Sequence, residues 1–317
     1  MAAAPTVELD AQYRQLREEC GLYERSGRGI LALSGAGAGE YLQGQLSNDI
    51  TALAPGQGLY AALLDRKGHL QADMRVARVA EEEFLIDTEP EGRAAALRHL
   101  QMFKVGHEVE LADLSAERVI ISLIGPRSAE LAAAPPLPEY ACASISIAAT
   151  ELLALGTREG IDLIAAATDA ERVREALLGA GAAPVGAEAL EILRIEAGIP
   201  RFGAEMGTET MPAEAGIIER AISFTKGCYI GQETVARLHY KGRPNRHLAG
   251  LLLSAPCPSG AALHLGEKEV GRLGGSCVSP ARGAIGLAIC RREAEAGDQL
   301  NVGEDGVTAR LVDLPFG

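Results

Sequence analysis

Cys228 is the residue of this chain best equipped for covalent chemistry. It lies between Gly227 and Tyr229 in "FTKGCYIGQETVARLHYKGRPNRH", Phe224 to His247. Gly227 and Gly231 flank the site, so the backbone can turn tightly and leave the sulfur open. Lys226 is two residues away, and a nearby cation favours thiolate over thiol. The following "GQETVARLHY" has helical spacing, which sets Cys228 just ahead of a helix N-terminus, where free N–H groups also stabilise an anion. A free cysteine is more commonly a small buried hydrophobe, so both readings stay open. No His or Asp stands at a telling distance from Cys228, and a Cys–His hydrolase has little support.

The surrounding charge is unusual for this chain. Formal net charge is -13, yet six cations from Arg220 to Arg246 face the single acid Glu233. That local excess suits a small polyanionic ligand better than nucleic acid, since aromatics for base stacking are scarce. Glu196, in "LRIEAGIP", is a second candidate. It interrupts an apolar helix and reads either as a surface charge paired with Arg194 or Arg201, or as a buried carboxylate that needs donors. "SGAGAGEYL" fails as a dinucleotide fingerprint: the third glycine position of G-x-G-x-x-G holds Glu40, which would face a pyrophosphate. It reads instead as a flexible strand-to-helix turn.

The elements that must position these groups follow from periodicity. The chain has 317 residues and 47% hydrophobic content, enough for two or three domains. "ELDAQYRQLREECGLYE", "AGAGEYLQGQLSNDI", "PEGRAAALRHLQMF", "DAERVREALLGAG" and "GAEALEILRIEAGIP" predict helices. "YAALL" and "HLQADMRVARV" flank the turn "DRKG" and predict a hairpin. Helices mixed with hairpins indicate α+β. From about residue 247 only short strands separated by Gly, Pro and Asp turns remain, which predicts a small β-barrel or sandwich. Six scattered cysteines with no C-x-x-C pair argue against a structural zinc site and indicate a reduced, cytoplasmic protein. No secretory signal and no membrane-length apolar run is visible.

"KGCYIGQE", Lys226 to Glu233, resembles the signature of the YgfZ family, folate-binding proteins of iron–sulfur cluster assembly and repair related to the glycine-cleavage T-protein. "YLQGQLSNDI", "LDRKGHLQADMRV" and "LRIEAGIPRFGAEMGTETMPAEAG" extend the likeness along nearly the whole chain. The resemblance implies a three-domain cloverleaf: two ferredoxin-like α+β units in residues 1–246 (split as 1–50 with 115–246, and 51–114) and a C-terminal barrel at 247–317, around a central folate channel. It implies tetrahydrofolate as cofactor, with Glu196 on the pterin amide edge and Tyr229, Gln232 and Arg237 as further contacts. The basic stretch would draw a polyglutamylated tail. Cys228 would be the reactive thiolate, Lys226 would lower its pKa, and Asp73 would be the surviving acid of a pair that reads Ala72–Asp73 here. The partners would be iron–sulfur client or assembly proteins, with no nucleic acid and no membrane. The alternative is a tetrahydrofolate-dependent aminomethyltransferase, for which Asp73 would be essential. A third reading is an adaptor that binds folate only as a structural ligand. One exposed cysteine supplies too few ligands for a resident cluster.

Overall fold

The turn "DRKG" closes a hairpin because Asp65 can satisfy its backbone. In the computed structural model, which describes residues 7–316, Asp65 Oδ1 accepts hydrogen bonds from the N–H groups of Lys67 and His69 at 2.8 and 2.9 Å. Gly68 takes the positive φ of +83° that the turn requires. The two arms, Gly58–Leu64 and Leu70–Ala80, start a five-stranded antiparallel sheet completed by Glu83–Thr88, Gly29–Ser34 and Glu110–Asp113. Helices Ala38–Gln45 and Pro90–Phe103 bury Tyr41, Leu42 and Leu100 against Leu33, Leu63, Met74 and Ile86.

A second, six-stranded sheet runs in the order Ala183–Pro184, Gly21–Glu24, Arg118–Ile124, Gly160–Ala166, Thr150–Thr157, Cys142–Ile147. Helix Ala170–Ala180 packs Val173 and Leu177 on it and stops at Gly181, φ +111°. Asp169 does not cap that helix with its side chain; its carboxylate pairs with Arg172 instead. Ile30 of the first sheet joins Ile120 and Ile164 of the second in one apolar cluster. Strands such as Gly58–Leu64 therefore read as near-continuous apolar runs, because both of their faces are covered.

Both sheets belong to one compact unit, Arg14–Val185 with Glu219–Glu233. The split expected at residue 50 moves: strand Gly29–Ser34 pairs with Glu83–Thr88 and Glu110–Asp113, so residues 29–50 go with 51–114. The other unit holds the segment through Tyr13, Gly186–Ile218, and Thr234 onward. Its centre is a closed barrel of Arg246–Leu253, Gly283–Arg291, Lys268–Ser279, Ala262–Leu265, Gln299–Val302 and Val307–Val312. The barrel's first strand starts at Arg246, and its unit also takes in helix Ala187–Glu196. The architecture is α+β with ferredoxin-like sheets and a C-terminal barrel. Among the described residues no helix is long and apolar enough to cross a membrane. The Gly35 turn is packed, not flexible: a Cβ on Gly35, at φ +118°, would lie 2.3 Å from the Glu108 carbonyl oxygen.

Candidate active site

Asp73 is buried on strand Leu70–Ala80, two residue pairs from Tyr60 and on the diagonal to it across the adjoining strand. Tyr60 donates its hydroxyl to Asp73 Oδ2 at 2.7 Å. Oδ1 is also buried and has no hydrogen-bond partner among the described residues. A buried carboxylate oxygen without a donor is costly, so it marks a position where a ligand or a proton is wanted. Burial first, then the negative charge of Glu89, pushes the Asp73 carboxyl up to about 6. Burial and Asp73 together drive the Tyr60 phenol well above its ordinary range, so it stays a donor.

Tyr60 is held on every side. Its ring stacks on Tyr140 with centroids 6.3 Å apart, and the Arg220 guanidinium lies 5.1 Å from its centroid. Arg220 also bonds the Tyr140 hydroxyl and Glu139. Asn48 Nδ2 donates to the carbonyls of Tyr60 and Arg220, at 2.8 and 3.0 Å. Sequence reading missed Tyr60, Tyr140, Arg220 and Asn48 as site residues. The available signal was thin: Tyr60 opens the apolar run "YAALL", and Asn48 stands in the "SNDI" segment that carried the family likeness.

The "KGCYIGQE" loop belongs to the same unit. Cys228 is exposed, so the packing reading is wrong for it. Gly231 sits at φ +86°, with its Cβ position 2.5 Å from the Asp65 carbonyl oxygen, so the loop can close over the hairpin tip only with glycine there. Helix Gln232–Lys241 starts four residues after the thiol. The role expected for Lys226 needs correction. Its ammonium donates to the carbonyls of Gln43, Leu46 and Asn48 at 2.6, 2.6 and 2.9 Å. All three donors close the C-terminal end of helix Ala38–Gln45, where cations are favoured, and none remains for Cys228. Burial pulls Lys226 down to about 8. Lys226 also lies 5.1 Å from the centroid of the Tyr229 ring, whose buried hydroxyl has no partner among the described residues. Lys226→Met should cost about 2 kcal/mol by stranding those carbonyls, read as a lower urea midpoint, while the alkylation rate of Cys228 stays the same. A tenfold slower alkylation would restore Lys226 as the group that tunes the thiol.

Glu196 and Arg237 lie in the other unit. Glu196 is 5% exposed and accepts hydrogen bonds from the Tyr13 hydroxyl, 3.1 Å from each oxygen, and from Ser279. It is thus the buried, donor-satisfied carboxylate rather than a surface partner of Arg194, which pairs with Glu191 and Glu205. Burial and the Glu196 charge push the neighbouring Cys277 thiol up to about 12, an inert group. Arg237 is exposed on helix Gln232–Lys241. No cluster of three or more His, Cys, Asp or Glu suited to a metal occurs among the described residues.

Comparison with known proteins places this geometry. The model of the GCVT N-terminal domain matches residues 6–226. An aminomethyltransferase of Rubrobacter xylanophilus is 29% identical over 324 residues, covering 97% of this chain and 86% of its own length. An aminomethyltransferase of Thermus thermophilus is 30% identical over 320 residues, covering 96% and 89%. The crystal structure of the glycine cleavage system aminomethyltransferase T from Bartonella henselae shares the fold, with a TM-score of 0.89, 23% identity, and coverage of 99% of this chain and 91% of that one. These relatives overturn the expected role in iron–sulfur cluster assembly or repair: chains that match over 86% and 89% of their own length carry the aminomethyltransferase name.

Proposed function

The chain belongs to the GCVT N-terminal domain family, and from that premise we propose that it is a tetrahydrofolate-dependent aminomethyltransferase of the glycine-cleavage type. The observation that carries the reading is Asp73: a buried carboxyl with one oxygen fixed by Tyr60 and the other without a partner. That oxygen suits a reduced pterin, whose ring carries N–H donors. When bound, tetrahydrofolate supplies the nitrogens that accept the one-carbon unit. Asp73 is the protein group that holds or releases a proton at Oδ1, and a carboxyl poised near 6 can do either close to neutral pH. Tyr60 keeps Asp73 in one rotamer, and Tyr140, Arg220 and Asn48 keep Tyr60 in place. Glu196, Gln232 and Arg237 are proposed as folate contacts on the resemblance alone. Cys228 takes no step in this chemistry. The "KGCYIGQE" loop aligns the chain with the YgfZ group inside the larger family by sequence, not by activity.

The test is folate-dependent release of ammonia and methylene-tetrahydrofolate from a lipoyl-bound aminomethyl group. Wild type and Cys228→Ser should turn over at similar rates. No release from the aminomethylated carrier protein rules the proposal out.

A further inference from the structure

The outer wall of the barrel bears a cleft of about 1010 Å³. Its charge follows from strand register. Arg246 and Arg291 are cross-strand partners, and Arg272 is paired with Ile289. Positions 289 and 291 share a face by the two-residue period of a strand. Their neighbours Ala288 and Cys290 point into the barrel core. Arg272, Arg291 and Arg246 therefore stand on one outward face of three adjacent strands. Arg201 lines the same cleft from the loop after helix Ala187–Glu196.

Three acids also line the cleft: Glu269 pairs with Arg272 at 2.9 Å, the half-buried Glu191 with Arg201 at 3.6 Å, and Glu205 is held by Arg194 at 2.8 Å. Arg246 and Arg291 are in no ion pair among the described residues, and Glu293, close by in sequence, is taken by Lys268. Like charges directly opposite on an antiparallel pair destabilise the sheet. A chain of net charge -13 that keeps two arginines in that position breaks a local rule with no structural return, which is the mark of a functional site. No aromatic ring lines the cleft, so it offers charge recognition and no stacking platform. Glycines 274 and 275 admit the Glu205 and Arg194 side chains against the strand, with the Gly275 N–H donating to Glu205 Oε1 at 2.7 Å.

We propose that this cleft binds a small polyanion through paired phosphate or carboxylate groups, with Arg246 and Arg291 as twin guanidinium forks. Arg246 belongs to the basic stretch that the resemblance gives to a folate tail, whereas Arg201, Arg272 and Arg291 do not, so the Arg291 variant separates this site from the transferase reading. The experiment is thermal unfolding of the full chain with millimolar pyrophosphate or citrate, against potassium chloride of equal ionic strength. A ligand that binds only the folded state raises Tm with its concentration. At least one probe should raise Tm beyond the chloride control; pyrophosphate alone identifies phosphate as the preferred group, and citrate alone identifies carboxylate. Arg291→Glu, which relieves the repulsion, should keep or raise the ligand-free Tm and abolish the shift; Arg246→Gln should weaken the shift several-fold. No shift in wild type, a shift equal to that of chloride, or an undiminished shift in both variants would overturn the proposal.

Discussion

Asp73→Asn should lower turnover by about 10²–10⁴-fold and, above pH 7, make the protein more stable. Both effects come from one buried carboxyl. Asn keeps the shape and still accepts the Tyr60 hydroxyl, but it cannot exchange a proton. The stability sign follows from the raised pKa. The folded state holds the Asp73 proton up to about 6, against an ordinary value of 3.8. Below that ordinary value both states are protonated, and the group contributes nothing. Between the two values the unfolded chain releases the proton first, so folding becomes progressively more costly. Above about 6 the full cost is present, at most about 3 kcal/mol for a shift of about two units. Asn removes it. Calorimetry should therefore show a Tm gain of several degrees at pH 8 that shrinks to nothing near pH 4. Wild-type kcat/KM should carry an ionisation near 6 that the residual activity of the variant lacks. A variant that is less stable at pH 8, or that keeps its turnover, would remove Asp73 from the chemistry. Stability withheld at one buried group is what a preorganised acid or base demands.

Local signals account for much of what the sequence revealed. The Asp65–Gly68 turn, the stop at Gly181 and the Gly- and Pro-punctuated barrel strands rest on turn chemistry and period, which act over a few residues. The helix expected over "ELDAQYRQLREECGLYE" stops at Glu18 and its last four residues, Gly21–Glu24, form a strand, because so short a segment shows no period of its own. Cys228 and Glu196 drew attention for sound reasons, yet their partners did not. The carbonyls that hold Lys226 lie about 180 residues away in sequence, and so does Tyr13 from Glu196. The support around Tyr60 gathers Asn48, Tyr140 and Arg220 from three separate segments. Nothing in local spacing encodes such meetings; only the packed fold does. One usable signal was passed over: Asp87 in "EFLIDT" and Asp162 in "IDLIAAA" are lone charges inside apolar strands, and a charge there must find a partner.

Those two aspartates carry the largest stability prediction. Asp87 is 2% exposed and accepts hydrogen bonds from Arg28 and from Arg75, the latter at 2.9 Å; Arg75 continues to Asp162 at 2.6 Å, and Asp162 also takes the Ser122 hydroxyl. The ladder ties strands Leu70–Ala80 and Glu83–Thr88 of the first sheet to Gly160–Ala166 and Arg118–Ile124 of the second. Asp87→Asn would take from the largely buried Arg28 and Arg75 the one carboxylate they share, leaving Glu89 to Arg28 and Asp162 to Arg75. Removing one partner from a buried ion-pair network costs about 3–5 kcal/mol, a large share of the stability of an ordinary domain. Urea unfolding at pH 7 should show that loss. Asp87→Asn with Arg75→Met should recover part of it, because an apolar pair needs no counter-charge. Acid makes the same cut in the wild type. Burial raises the Asp162 carboxyl, but Arg75 and Arg25 outweigh burial and hold it near 2; Arg75 and Arg28 likewise hold Asp87 low. Depressed carboxyls stabilise fully above their unfolded values, near 4, and lose that contribution as pH falls toward 2. Wild-type stability should therefore drop steeply between pH 4 and 2, and the Asp87→Asn slope should be shallower. A loss under about 1 kcal/mol at pH 7 with an unchanged acid slope would mean the ladder is solvated and holds nothing together.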